Sequence, residues 1–308
     1  MHILILGAGA TGGYYGGRLA KAGCDVSFLV RPARAAILAR DGLRVESPKG
    51  DIHTPVMAIV REQIVEPFDA IILSCKSYDL DSAIDTIRPA VGPDTLVLPL
   101  LNGMSHIDAL DAAFGPDRVL GGTCHISVTL TDEGTIRHLT TYDSLTFGPR
   151  APSQSKRCDA LHELLLRGGF EVRLSTDIIG AMWEKWVLLA TLAGMTCQMR
   201  GNIGEICSTK NGAAQISSML DECCEVAIAT GSTPRKEAVE AARTVLTDPT
   251  SKMAASMLRD LQRGARIEAD HIIGDLLSRG VAAGVPAPLL ASAYTHLEVY
   301  QNRLAAGT

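Results

Sequence analysis

The sequence predicts an α/β protein in two parts, a parallel-sheet domain over residues 1–175 followed by an all-helical domain over 176–308. Three observations predict it. Short continuous apolar runs alternate with helix-forming segments through the first hundred residues, the pattern of a parallel sheet covered on both faces. A glycine-rich turn follows the first of those runs. From Ser175 onward strand signals almost vanish.

Taken in order, Ile3–Leu6 is a first strand ending in glycine, and Gly12–Ala22 reads as a helix. Asp25–Val30 (DVSFLV) carries the β-branched and aromatic residues of a second strand. Leu43–Glu46 and Thr54–Ile59 are weaker strand candidates. Asp69–Ser74 (DAIILS) and Thr95–Leu100 (TLVLPL) are strong ones, separated by a helix around Leu80–Ile87. Past Ala113 the rhythm changes to short strands at Arg118–Gly121, His125–Leu130, Thr135–Leu139 and Ser144–Phe147. Turn residues between them predict an antiparallel extension of the sheet. A loop over 150–156, a helix to Arg167 and a strand in Phe170–Leu174 complete this part. Ser175-Thr176-Asp177 then caps a long helix to about Met199. Further helices are expected near Ala213–Thr230, Lys236–Leu246, Lys252–Ser278 and Ala287–Leu304, the last pair punctuated by Gly280, Gly284, Pro286 and Pro288.

Composition removes several classes of function. Hydrophobic residues are 46% and charged residues 20% of the chain, a balance that excludes disorder. A net charge of −5 offers no basic face for nucleic acid. The longest uncharged apolar-rich stretch, Trp186–Met199, is shorter than the roughly 18 residues of a spanning helix, so a buried core helix is expected and no membrane contact. The N-terminus lacks the basic region of a signal peptide. The eight cysteines contain no Cys-x-x-Cys, and no histidine pair with zinc-ligand spacing accompanies them. They read as reduced, mostly buried thiols in a cytoplasmic protein with no metal site.

The chemistry begins at Gly7-Ala8-Gly9-Ala10-Thr11-Gly12, a G-x-G-x-x-G placed directly after a strand and opening a helix. In that context it predicts a Rossmann dinucleotide-binding domain. Gly7 makes the tight turn, Gly9 admits a pyrophosphate, Gly12 allows close helix–strand packing, and the helix N-terminus supplies partial positive charge. The second strand ends in Val30-Arg31-Pro32-Ala33-Arg34, with arginines where an NAD-preferring fold has a carboxylate for the ribose. Arg31 therefore points to the 2′-phosphate of NADP, whereas Arg34 reads as a solvated helix residue. Lys76 and Asn102 follow two later strands. With Gly7 and Arg31 they are expected along one edge of the sheet, outside the carboxyl ends of its strands.

On these residues the chain resembles the ketopantoate reductase (2-dehydropantoate 2-reductase) family. The likeness rests on ILGAGATGGYYGGRLAKAG, Arg31, the Lys76 of SCKSYDL and the Asn102-Gly103-Met104 of LLNGM. It continues through GGTCHIS, TIRH and LTFGP to the Lys185 of MWEKW, and through SMLRDLQRGARIEADHIIG to GVPAP. The resemblance implies an N-terminal Rossmann domain, an all-helical C-terminal domain and an active site in the cleft between them. It implies reduction of ketopantoate to pantoate by NADPH, on the route to pantothenate. It also implies Lys185 as catalytic lysine, Glu268 as active-site glutamate, Asn102 near nicotinamide and substrate, Ser256 on the substrate and Lys76 near the cofactor. A homodimer through the helical domain follows from the same analogy.

The chain departs from the family at Leu189 and Ala193, four and eight residues after Lys185, where the family helix has substrate-contacting asparagines. Positions i, i+4 and i+8 share one helical face, so two polar groups are missing from that stripe. The substrate is therefore ketopantoate, or else a less polar oxo acid; a non-catalytic NADPH-binding regulator is the reading from another class. Retention of Lys185, Asn102, Ser256 and Glu268 argues against the regulator. Hydride transfer to a ketone builds negative charge on oxygen and finally needs a proton, and an ammonium serves both needs. Composition alone would make Lys185 a helix-edge lysine and Glu268 part of a solvated, charge-rich face. His106 and His125 are kept out of catalysis, since a lone histidine is more often structural.

Overall fold

A computed structural model describes residues 1–307 as two compact units. The first contains Met1–Leu101 and His106–Ile179; the second contains Asn102–Ser105 and the chain from Gly180 on. The division falls four residues beyond the boundary expected at 175/176. Ile178 explains the difference. It opens a helix, yet its side chain lies on the backbone of Gly121 and Gly148, where added Cβ atoms would come within 2.6 and 3.2 Å of it.

The first unit is a Rossmann-type α/β domain. Its main sheet takes β1 (Ile3–Leu6), β2 (Val26–Leu29), β5 (Met57–Ile59), β6 (Ala70–Leu73) and β7 (Leu96–Pro99), with α1 (Ala10–Lys21), α2 (Pro32–Asp41) and α3 (Leu80–Ile87) as crossovers, and β3 (Leu43–Glu46) and β4 (Ile52–Thr54) between α2 and β5. The strand order is β5-β2-β1-β6-β7, all parallel, with Ile5 opposite Phe28 on one side and Ile72 on the other. The inner strands β1, β2 and β6, with β7, are apolar with almost no alternation because both faces are buried, whereas the edge strand β5 exposes Met57. The strand order reverses between β1 and β6, which opens a crevice at their carboxyl ends.

The later strands do not extend this sheet. After α4 (Ser105–Phe114) they form a second sheet from β8 (Gly121–Leu130), β9 (Ile136–Gly148) and, after α5 (Ser155–Leu166), β10 (Val172–Leu174), joined by β3 and β4. Two expected short strands are one, β9. Its register against β8 jumps from Asp143 to His138, so Leu139–Tyr142 form a bulge that reads in sequence as a break. Arg118–Gly121 is not a strand of its own: Val119 makes a single bridge to Val97. Thr54–Ile59 divides at Pro55 into β4 and β5, which belong to different sheets.

Helix α1 is packed between the two sheets, and this explains its glycines. Cβ atoms on Gly12 and Gly16 would meet Ile5 and Phe28 of the parallel sheet, while those on Gly13 and Gly17 would meet Ile136 and Leu43 of the second sheet. Each helical glycine costs about 0.5–1 kcal/mol relative to alanine, and the close approach offsets it. Behind the helix, Tyr14 Oη donates to the buried Asp143 carboxylate at 2.7 Å. Burial alone would raise the Asp143 pKa, but hydrogen bonds from Lys49 and Tyr14 hold it below the usual carboxylate range.

The second unit is helical: α6 (Ile178–Met199), α7 (Ile203–Cys207), α8 (Gly212–Ala229), α9 (Lys236–Leu246), α10 (Ser256–Gln262), α11 (Asp275–Ala282) and α12 (Pro288–Ala306). The single helix expected over Lys252–Ser278 is broken. Gly264, at φ +67°, ends α10 while the Ala265 N–H closes back on the Asp260 carbonyl at 2.9 Å. The chain resumes in a π-helical turn, Asp270–Gly274, that runs into α11. Helix α6 runs to Met199, the end expected for it. By length and composition it would suffice to cross a membrane, because Glu184 and Lys185 are tolerated within an otherwise apolar 22-residue helix; most of it is buried inside the protein.

Candidate active site

In the first unit the glycine turn has the shape its motif requires. Gly7 takes φ +84°, and its N–H is held by the Leu29 carbonyl at 2.9 Å. A Cβ on Gly12 would lie 2.5 Å from Ser74 Oγ and 2.9 Å from the Gly7 carbonyl. Gly9, at the N-cap of α1, has no atom within 4 Å of the place its Cβ would take. That open cradle above Gly9 lies beside the unpaired N–H groups that begin a helix, in Ala10, Thr11 and Gly12, with Ala8 buried beneath. The residues present fit a dinucleotide pyrophosphate. Arg31 is exposed as the N-cap of α2, and Lys76 is half-buried three residues past β6, its carbonyl accepting from the Asp79 N–H at 2.9 Å.

Arg34 is not a solvated helix residue. Its guanidinium is half-buried, with Nη2 donating to the Gly134 carbonyl at 3.1 Å and the Ala8 carbonyl at 3.4 Å, and burial lowers its pKa. It ties the β8–β9 turn to the glycine loop. Gly134 has to be glycine there, at φ +81° and with its Cβ position 2.5 Å from the guanidinium. Gly7, Arg31 and Lys76 follow strands of the parallel sheet at their carboxyl ends. Asn102 follows β7 in the chain but packs with the second unit.

In that second unit, Lys185 projects from α6, and its Nζ donates to Asn102 Oδ1 at 3.0 Å. Both side chains are partly exposed. Lys185 is held from its two neighbours. Trp186, 1% exposed, donates Nε1–H to the Ile272 carbonyl at 2.8 Å, using a main-chain oxygen within the π turn. Glu184 is gripped by Arg235, with Nε and Nη2 each 2.7 Å from a carboxylate oxygen. Glu268 precedes the π turn and is buried at 8% exposure, so the charge-rich segment around it is not a solvated face at this residue. Ser256 stands exposed at the first position of α10, and the structure does not join it to Lys185, Asn102 or Glu268 by a hydrogen bond.

The stripe after Lys185 is apolar, as its sequence requires, but its two positions differ. Leu189 is partly exposed, whereas Ala193 is fully buried and faces no open space. Thr191 and Thr196 spend their hydroxyls on the Val187 and Leu192 carbonyls of their own helix. His106 is buried in α4 and His125 is exposed on β8. Among the described residues no three His, Cys, Asp or Glu side chains are grouped to hold a metal, and none of the eight cysteines forms a disulfide.

The sequence reading did not single out His271, which lies in the π turn. Ser105 Oγ sits 2.7 Å from its Nδ1, and the ring also interacts with the main chain of Asn102. The signal available was its spacing three residues beyond Glu268, a helical neighbour position. Burial, assisted by Arg279, pushes the imidazole below its usual range against the opposing pull of Glu268 and Asp275. His296 is lowered too, by burial and by Arg200 and Arg303. A depressed histidine binds its proton less readily folded than unfolded. Its contribution to stability is complete above the unfolded pKa and is lost as pH falls toward the folded one. Thermal melts from about pH 8 to about pH 5 should show a declining Tm, with a shallower decline in His271→Asn. A Tm that rises on acidification would contradict the assignment.

The family model of ketopantoate reductase PanE/ApbA matches residues 3–152, and that of its C-terminal part matches residues 177–301. An uncharacterized oxidoreductase, YkpB, of Bacillus subtilis is 33% identical over 301 residues, covering 98% of this chain and 99% of that protein. The crystal structure of a PanE/ApbA family ketopantoate reductase from Ralstonia eutropha superposes with a TM-score of 0.88 at 28% identity, covering 99% of this chain and 100% of the other. D-mandelate dehydrogenase, solved with NADH and anilino(oxo)acetate, shares the fold with a TM-score of 0.89 at 21% identity, covering 99% and 100% of the two chains.

Proposed function

Because this chain belongs to the ketopantoate reductase family, oxidoreductases that reduce 2-oxo acids with a nicotinamide dinucleotide, we propose that it uses NADPH and that its substrate is 2-dehydropantoate, on the route to pantothenate. The observation that carries this reading is the hydrogen bond from Lys185 Nζ to Asn102 Oδ1 at 3.0 Å. An ammonium has three donors. The one aimed at Asn102 fixes the orientation of the group.

When bound, the nicotinamide supplies the hydride. The Gly7–Gly12 turn would hold the pyrophosphate through main-chain N–H groups, Arg31 would take the 2′-phosphate, and Lys76 would stand near the cofactor. Lys185 faces the ketone oxygen, stabilises the negative charge that develops there, and gives up a proton from Nζ. Asn102 keeps that ammonium aimed. Glu268 orients the lysine or accepts from a substrate hydroxyl, and Ser256 binds the substrate. NADPH oxidation followed across a panel of 2-oxo acids tests the whole reading. Highest kcat/KM with 2-dehydropantoate is expected, and better turnover of another oxo acid would replace it as the substrate.

Leu189 favours a second reading, a 2-oxo acid with a less polar tail. A buried polar group left without a partner loses about 1–3 kcal/mol. The Leu189→Asn variant should therefore raise kcat/KM for 2-dehydropantoate, by about tenfold for one recovered hydrogen bond. Ala193 is left alone in this test, since a larger side chain would overpack its buried position. An efficient wild-type enzyme that Leu189→Asn does not improve would mean that other groups satisfy the substrate's polar tail.

A further inference from the structure

We propose that His271 is a positioning residue that holds Asn102 in place to orient Lys185, an assignment that rests on the catalytic reading of Lys185 given above. Four residues of one tight turn, Asn102-Gly103-Met104-Ser105, pack against the π turn that carries His271, and the imidazole grips that turn at both ends. At one end Ser105 Oγ is 2.7 Å from Nδ1, and at the other the ring interacts with the Asn102 main chain. Between these ends the Gly103 backbone lies flat on the histidine. A Cβ there would stand 2.7 Å from the His271 carbonyl and 3.0 Å from Cδ2, and φ is +77°. The turn can therefore neither slide along the imidazole nor rise from it without breaking a hydrogen bond.

The grip is transmitted to the lysine. Asn102, which opens the turn packed on the imidazole, accepts from Lys185 Nζ through its side chain. The opposite end of the contact is fixed as well, because Trp186, next to Lys185, donates to the carbonyl of Ile272, next to His271. The π turn thus braces both partners of the Lys185–Asn102 bond. A neutral imidazole can accept from the Ser105 hydroxyl on Nδ1 while its other nitrogen carries the proton. Burial favours that neutral form, against Glu268 and Asp275 and together with Arg279, the charged groups that act on the ring. Protonation would turn Nδ1 from an acceptor into a donor and force the Ser105 hydroxyl to reverse.

The test compares kcat, KM and cofactor binding in full-length His271→Phe, His271→Asn, Ser105→Ala and Asn102→Ala, and in the His271→Phe/Asn102→Ala pair. A misplaced donor costs up to about 100-fold, so His271→Phe should lower kcat by about 10- to 100-fold with the Kd for NADPH unchanged. His271→Asn, which restores a hydrogen-bonding group, should recover part of that loss. The double variant should be scarcely slower than Asn102→Ala alone, because residues acting in one chain are not additive. The acid limb of the wild-type kcat–pH profile should shift in His271→Asn. Normal kcat in His271→Phe, or fully additive losses in the pair, would overturn the proposal. If His271→Phe does not fold, Ser105→Ala decides: a kcat reduced a few-fold supports the grip, and a kcat equal to wild type overturns it. Lys185→Ala separates this inference from the reading beneath it. Should that variant keep normal turnover, the catalytic reading itself fails; should it lose turnover while His271→Phe does not, only the positioning role fails.

Discussion

Lys185→Ala is expected to lower kcat by about 10²–10⁴, the range for losing a general acid or a donor aimed at a developing alkoxide. The structure adds two conditions to that number. The NADPH dissociation constant should stay close to wild type, because the glycine turn, Arg31 and Lys76 belong to the first compact unit and Lys185 to the second. The Tm should move little, because Trp186 and Glu184 anchor this part of α6 without the lysine. Single-turnover measurements at saturating NADPH separate the chemical step from binding. Near-normal turnover would make Lys185 a helix-edge lysine after all.

The cofactor contact gives the second large effect. Arg31→Ala should weaken NADPH by about 10- to 100-fold and leave NADH nearly unchanged, since only a 2′-phosphate would offer the guanidinium charge-assisted hydrogen bonds. Arg31 is exposed at the N-cap of α2 and thus available to a ligand, whereas Arg34, three residues on, is already engaged with two main-chain carbonyls. The same substitution at Arg34 should disturb both cofactors alike by releasing the glycine loop. Equal affinity of the unmodified protein for NADH and NADPH would remove the assignment of Arg31.

Much of this was legible along the chain. Apolar runs of four to six residues marked the strands of the parallel sheet, and Gly7, Gly9 and Gly12 stood where a strand must turn into a helix. Such signals are local: each depends on residues within a few positions, so the pattern carries them whatever the rest of the molecule does. Lys185 was singled out only through the family resemblance, since its own surroundings read as a helix edge. The errors have equally local causes. The bulge at Leu139–Tyr142 made one long strand resemble two, and Gly264 was passed over as a helix stop within a charge-rich segment.

Other features join residues that are far apart in sequence, and no propensity or spacing encodes them. Asn102 meets Lys185 across 83 positions and Ser105 meets His271 across 166. Packing assigned Asn102–Ser105 to the helical unit, although the chain reaches that turn directly from the parallel sheet. Packing also turned Glu268 inward and drew Arg34 onto the glycine loop. A charged side chain has no fixed preference between solvent and a partner until the fold supplies the partner, and desolvation then decides the balance. An apolar run in a strand carries its preference with it, because burial is favourable against almost any neighbour. Sheet, turn and motif could therefore be read from the chain, while the partners of its charged and polar groups appeared only once the chain had closed on itself.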